Sequence, residues 1–211
     1  MEENDKNIEV KEKILKEAQG LFWKYGVKSV TMDDIAKHLG MSKKTLYQFF
    51  NDKDDIICQI VDSFLKSREE QMEAVRCSAE NSIQGMFLMT CQIKASFENM
   101  TPSLLYELKK YHPRAYNIFI DYKKTCIQEC IINNLKAGIE SGVYRENIDV
   151  RVMARMRMEQ VEMGFDQAVF PSAEFKLEYI QGQLFEHFVH GITTLKGHQL
   201  LNEYKNGNKE N

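Results

Sequence analysis

Residues 31–50 read TMDDIAKHLGMSKKTLYQFF, and their order decides the fold. Thr31 is a helix-capping residue type, and Asp34 stands three positions on, where a capping-box side chain reaches back to the cap. Asp33 and Asp34 also suit the positive end of a helix dipole. Ile35, Ala36 and Leu39 then recur at helical spacing, with Ala36 small enough for two helices to cross closely. Gly40 can take the left-handed conformation that ends a helix. Met41 is expected to pack inward, and Ser42 is a second N-cap. Leu46 and Phe50 anchor the next helix, leaving Lys43, Lys44, Thr45, Tyr47 and Gln48 free to meet phosphates and base edges at its exposed start. Two short helices around a tight glycine turn, the second basic, hydroxyl-rich and aromatic, are the pattern of a helix-turn-helix that reads the major groove of double-stranded DNA. The bland alternative is a helical hairpin with a solvated lysine pair. Any one element fits that alternative, but their joint spacing does not.

With its flanks, from about Val10 to Ile57, the segment resembles the tetracycline-repressor (TetR) family of bacterial transcriptional regulators. The features that carry the resemblance are LF-x-x-x-G from Leu21, T-x-x-D-I-A from Thr31, G-x-S-x-x-T-L-Y from Gly40 and F-x-x-K-x-x-I from Phe50. The resemblance implies an all-α fold of about nine helices. Three helices at the N-terminus would form the DNA-binding domain, a fourth would link, and a helical C-terminal domain would dimerise and hold a small-molecule effector. On matching positions it implies DNA contacts at Thr31, Ser42, Lys43, Thr45, Tyr47 and Lys53. The chain departs from the family pattern at Lys44, often glycine or alanine, and at Phe49, often histidine, so the reading surface is altered and one phosphate donor is lost.

Bulk charge does not announce a nucleic-acid binder, since the 211 residues carry a formal net charge of −3. The first 55 residues hold ten lysines and eleven acidic residues, and the acids gather at Glu2, Glu3 and Asp5 and at helix starts. Between Lys24 and Phe50, however, five lysines face only Asp33 and Asp34. DNA affinity is therefore expected from local placement of Lys24, Lys28, Lys43, Lys44 and Lys53, and it should fall steeply with salt. A hydrophobic fraction of 43% supports a core, and three prolines allow long helices. Five scattered cysteines (Cys58, Cys77, Cys91, Cys126, Cys130) form no Cys-x-x-Cys pair. They read as reduced thiols in a cytoplasmic, nucleoid-associated bacterial protein, with thiol sensing by Cys126 and Cys130 as an alternative. The acidic start predicts no signal peptide, and no apolar run nears the ~20 residues that span a bilayer. No cofactor and no bound metal are expected.

Periodicity predicts helices over about 9–25, from Asp52 through a polar stretch to about Ser78, 82–99, a short helix opened by Pro102 and closed at the His112-Pro113 step, 114–141, 149–169, and a last one ending near Gly197. The expected division is a DNA-binding domain over 1–51, a linking helix over 52–81, a ligand-binding and dimerisation domain over 82–200, and a flexible tail over 201–211. Ile14, Leu15, Ala18, Leu21, Phe22 and Tyr25 stripe the first helix, and Met86, Phe87, Met89, Ile93 and Phe97 face the core in the fifth. Residues 82–198 are rich in Met, Phe and Tyr, which suits an adaptable apolar pocket as well as plain core. Met156 and Met163, with Tyr106, Tyr122, Gln160 and Asp166 as polar groups, are the pocket candidates. Leu177, Ile180, Leu184, Phe188 and Ile192, followed by Leu195, recur at three-to-four spacing and are expected to form the interface of a homodimer.

Function is thus expected to be that of a regulator, most simply a repressor, that binds a palindromic operator as a dimer and is released by a small, largely apolar effector. An alternative is a DNA-binding regulator without small-molecule input, controlled by a partner protein or by thiol oxidation. A more distant one is a metal-dependent helical enzyme built on Glu186, His187, His190 and His198, although a third ligand of fixed spacing is missing. No phosphate loop, nucleophile elbow or His-Glu-x-x-His motif is present, and no catalytic residue is assigned.

Overall fold

Capping and helix-stop residues divide the chain as their chemistry dictates. A computed structural model describes residues 2–97 and 103–207. Its helices are α1 (Glu2–Tyr25), α2 (Met32–His38), α3 (Lys43–Phe49), α4 (Lys53–Ser78), α5 (Ser82–Phe97), α6 (Leu104–Tyr111), α7 (Pro113–Tyr122), α8 (Gln128–Glu140), α9 (Val150–Met163), α10 (Leu177–Ile192) and α11 (Leu195–Gly207). A wide π turn, Lys123–Ile127, joins α7 to α8 without a break, so the expected long helix after Pro113 is one rod. Counted that way there are ten helical rods among the described residues, against the nine expected. The sole β pairing among them is an isolated antiparallel bridge between Tyr144 and Thr193.

That bridge accounts for the extra helix. The expected final helix to Gly197 ends at Ile192, because Thr193 turns to extended geometry (φ −79°, ψ 149°). Its neighbour Thr194 donates its N–H to Val143 O at 3.0 Å, while Arg145 donates to Ile192 O at 2.9 Å. The chain then re-enters α11, so the polar tail expected from Asn202 is helical as far as Gly207. The helix capped by Asp149 stops at Met163 instead of Val169, with Gly164 as its C-cap. Pro113 opens α7 as expected of a proline at a first helical position. Pro102, residues 208–211, and the side chains of Cys91, Ile93 and Phe97 lie outside what is described.

The chain forms two compact units. One contains Met1–Ser67 and Asn99–Asp121, so α6 and most of α7 belong with the helix-turn-helix, and the division falls within α4. Its core is Ile14, Ala18, Phe22, Ile35, Leu46, Phe50, Ile56 and Ile57, each at most 1% exposed. Tyr25, expected in the apolar stripe of α1, stands 53% exposed, with Lys24 Nζ over its ring at 5.1 Å. The second unit contains Arg68–Glu98 and Tyr122–Asn211. There α5 packs against α8, α10 and α11, and α9 against α8 and α10. Ile83, Met86, Leu135, Tyr144, Ala154, Met158, Phe188 and Ile192 fill the space between them.

Candidate nucleic-acid interface

The reading head is set by its caps. Thr31 is extended (φ −102°, ψ 167°), its Oγ1 accepting from Asp34 N at 3.2 Å while its own N–H donates to Asp34 Oδ2 at 2.9 Å. These bonds close a capping box, and donation to the Asp34 carboxylate by the Thr31 hydroxyl, and next by the Thr31 N–H, holds that carboxyl below the usual carboxylate range. At the other end of α2, Gly40 takes φ +65°. Gly40 N–H donates to Lys37 O and Met41 N–H to Ala36 O, the paired bonds of a left-handed helix stop. Ser42 then caps α3, accepting from Thr45 N at 3.0 Å. Replacing Thr31 by alanine removes one cap and should cost about 1 kcal/mol of stability, read as a lower urea midpoint with an unchanged slope. An unchanged midpoint would show that the box contributes nothing.

The α3 helix buries one side and offers the other. Leu46 is fully buried and Phe50 is 1% exposed. Ser42, Lys43, Lys44, Tyr47 and Gln48 are exposed, and Thr45 is half-buried with Oγ1 2.8 Å from Ser42 Oγ. Besides Ser42 and Thr45, two more of the expected contacts are already engaged within the head. Lys43 Nζ lies 2.8 Å from Asp33 Oδ1, an exposed pair that holds its ammonium charge more firmly. Thr31 Oγ1 donates to Asp34 Oδ2 at 2.6 Å. Lys28 is exposed, with Nζ 5.2 Å from the Tyr111 ring centre. Lys53 is half-buried 6.0 Å from the Phe22 ring centre, and desolvation pushes its pKa down.

One residue missed at the sequence level ties this head to α6. Glu107 accepts from Lys28 N at 2.8 Å and from Ser103 Oγ at 2.9 Å. Its carboxylate lies over Gly26 (φ +81°), where an added Cβ would come within 2.9 Å of both oxygens. A second tie is His112 Nδ1, 2.5 Å from Asp54 Oδ1 in the first turn of α4. No local signal marks either, because the partners lie 79 and 58 residues apart.

The expected pocket residues fall in both units. Tyr106 is 55% exposed, in the first unit, its hydroxyl accepting from Lys110 Nζ at 3.0 Å. The other five lie in the second unit. Met156 and Met163 are 39% and 38% exposed, and Asp166 is an exposed turn cap accepting from Ala168 N. Tyr122 is half-buried and donates to Met72 Sδ at 3.5 Å, and burial pushes its pKa up. Gln160 is half-buried. A surface groove of about 520 Å³ runs instead beside the start of α10, lined by Glu174, Lys176, Tyr179, Gln183 and Glu186 among others.

The expected dimer stripe is mostly buried within the single chain. Leu177, Ile180, Phe188 and Ile192 are 6%, 5%, 1% and 1% exposed within the single chain, and Leu184 is half-buried. The stripe is filled by the chain's own α5 and α9, which amphipathic spacing cannot distinguish from a partner helix. Leu195, by contrast, is 84% exposed. Burial raises the Cys126 and Cys130 thiol pKa values, and a Cys126 Sγ–Glu69 hydrogen bond of 3.2 Å adds to it at Cys126, so both thiols are held protonated. His187 is exposed, while His190 and His198 stack with Nδ1 atoms 3.0 Å apart. Among the described residues no group of three or more His, Cys, Asp or Glu side chains could hold a metal ion. None of their helices is long and apolar enough to cross a membrane.

Comparison with known proteins bears on this geometry. Residues 14–60 match the family described as bacterial regulatory proteins, tetR family. The chain is 26% identical over 170 residues to the uncharacterized HTH-type transcriptional regulator YvaF of Bacillus subtilis, spanning 78% of this chain and 86% of that one. It is also 26% identical over 141 residues to the HTH-type transcriptional repressor KstR2 of Rhodococcus jostii, spanning 65% of this chain and 69% of that one. The fold resembles that of a TetR-family transcriptional regulator from Agrobacterium tumefaciens, with a TM-score of 0.75 and 14% identity over 89% of this chain and all of that one. The two capped helices around Gly40 lie inside the matched segment, so over residues 14–60 the chain is similar to the family of bacterial regulatory proteins, tetR family.

Proposed function

We propose that the protein is a ligand-responsive repressor that binds a palindromic operator as a homodimer and releases it when a small, largely apolar effector enters the second unit. The observation that carries the reading is the outward row Ser42, Lys43, Lys44, Tyr47 and Gln48 on a helix anchored by buried Leu46 and Phe50. Such a row supplies phosphate donors and base-edge groups from one rigid element. Thr31, Thr45, Lys28 and Lys53 flank it and complete the proposed contact set.

Dimerisation is assigned to the outer side of α9 and α10. Val152, Met156 and Met163 recur along α9 at 54%, 39% and 38% exposure, and Tyr179 on α10 is 59% exposed. Large apolar side chains exposed in register along a helix are characteristic of a surface that another protein covers. A palindromic operator read by two copies takes one α3 helix at each of two successive major-groove faces, about 34 Å apart. Repression is favoured over activation by the likeness to KstR2 repressors.

Sedimentation of the full chain, and binding to DNA selected by it from a random pool, test the reading. The expected results are a mass of two chains, a palindromic selected site, and log affinity falling with log salt at a slope of about −0.9 for each phosphate neutralised. Met156→Glu should yield a monomer with weakened DNA binding. A monomeric wild type that selects no sequence, or a flat salt response, would refute the reading.

A further inference from the structure

Between α9 and α10 the second unit buries a cation without a counter-charge. Arg157 is 5% exposed, and its guanidinium carbon stands 5.2 Å from the Phe185 ring centre and 5.9 Å from that of Phe188. Among the described residues no carboxylate pairs with it, and Nη1 has no hydrogen-bond partner. Burial pushes its pKa down to about 10. Around it stand two amides with the same deficit. Gln160 lies one turn further along α9, and its buried Oε1 has no partner. Gln181 on α10 is 1% exposed and donates Nε2 to Val161 O at 2.8 Å, yet its Oε1 also has no partner. Gly164 leaves the room that this amide occupies, since a Cβ there would stand 2.3 Å from Gln181 Nε2.

The neighbouring cation shows what a finished arrangement looks like. Lys123 in the π turn is 9% exposed and meets Glu159 at 3.0 Å and Glu162 at 2.5 Å, both on α9. A buried charge is normally matched in this way, because leaving one uncompensated is strongly unfavourable. Arg157 has only two ring faces, which offset part of that penalty but satisfy none of its N–H groups.

We propose that Arg157 is the anchor for the carboxylate of an apolar acidic effector, with the ligand's body against Phe185, Phe188 and Met158. This rests on the reading of the second unit as the sensing half. A monoanion fits better than a phosphate dianion, because Lys123 is already matched and no second free cation adjoins Arg157 among the described residues. The planar guanidinium fork suits a carboxylate held through two oxygens. The open Gln160 and Gln181 oxygens would accept from a hydroxyl or amide N–H on the same ligand.

Calorimetric titration of the full-length protein with decanoate, decanol and decyltrimethylammonium, each below its aggregation threshold, tests the assignment. The expected result is binding of decanoate at least tenfold tighter than either other probe. Arg157→Met should abolish that preference while melting at or above the wild-type temperature, as removal of an unmatched buried charge allows. The three-probe comparison on wild type decides by itself should that variant fail to fold. Tighter binding of the alcohol or the ammonium, or an undiminished decanoate preference in Arg157→Met, would overturn the anion assignment and leave the sensing role standing. Binding of none of the three would overturn the assignment as well. The sensing role itself falls only if a broad compound screen also yields nothing that changes DNA affinity.

Discussion

Replacing Lys44 and Tyr47 together by alanine should weaken binding to the selected operator by roughly 30-fold to 20,000-fold. Each lost phosphate or base contact is worth ~1–3 kcal/mol, and two such contacts add to ~2–6 kcal/mol. Both side chains stand clear of the core: Lys44 is exposed and Tyr47 is 46% exposed, while the helix is held by Leu46 and Phe50. The melting temperature should therefore change little. The salt slope should shrink by about one, because a single lysine–phosphate contact is removed. Lys43→Ala should do less, since its ammonium is shared with Asp33. Fluorescence anisotropy on one labelled duplex at several salt concentrations measures all three quantities. Affinity within threefold of wild type for the double variant would mean that another face meets the DNA.

The largest effect on stability is expected at Tyr144. This ring is fully buried, and it lies so close to Gly138 that an added Cβ there would come within 1.9 Å of Cδ2. Its hydroxyl donates toward Ser82 O at 3.1 Å and Asn134 Oδ1 at 3.0 Å, and its backbone pairs with Thr193. Tyr144→Ala should cost about 3–5 kcal/mol, the usual toll of removing a large aromatic from a packed interior. For a chain of this size that is a fall in melting temperature of roughly 6–20 °C. Tyr144→Phe retains the ring and should cost only about 1 kcal/mol. Calorimetry on the three proteins separates the two contributions. Equal losses for both variants would put the hydroxyl, not the ring, at the centre of this packing.

What the sequence disclosed follows from the range of each interaction. Thr31, Asp34, Gly40 and Ser42 act on groups within five residues, so their caps and turns could be read directly. Asp149 and Pro113 were legible for the same reason. Glu107 was not, because its acceptor role depends on a chain turn 79 residues away. Arg157 was passed over because arginine is ordinarily a surface residue. The stripe from Leu177 to Ile192 announced an apolar helix face correctly, but spacing alone is silent on whether the covering helix is in the same chain. Thr193 carried no stop signal that the eye could weigh, since the bridge to Tyr144 is what ends the helix.

The carboxylate over Gly26 bears on how such regulators can be recombined. A chimera that grafts only residues 14–60 onto a foreign partner would strand the Lys28 amide without its acceptor and deprive Asp54 of His112. Successful transplantation should require Ser103 to Asp121 to travel with the graft. The modular boundary that matters to a protein engineer is therefore discontinuous along the chain.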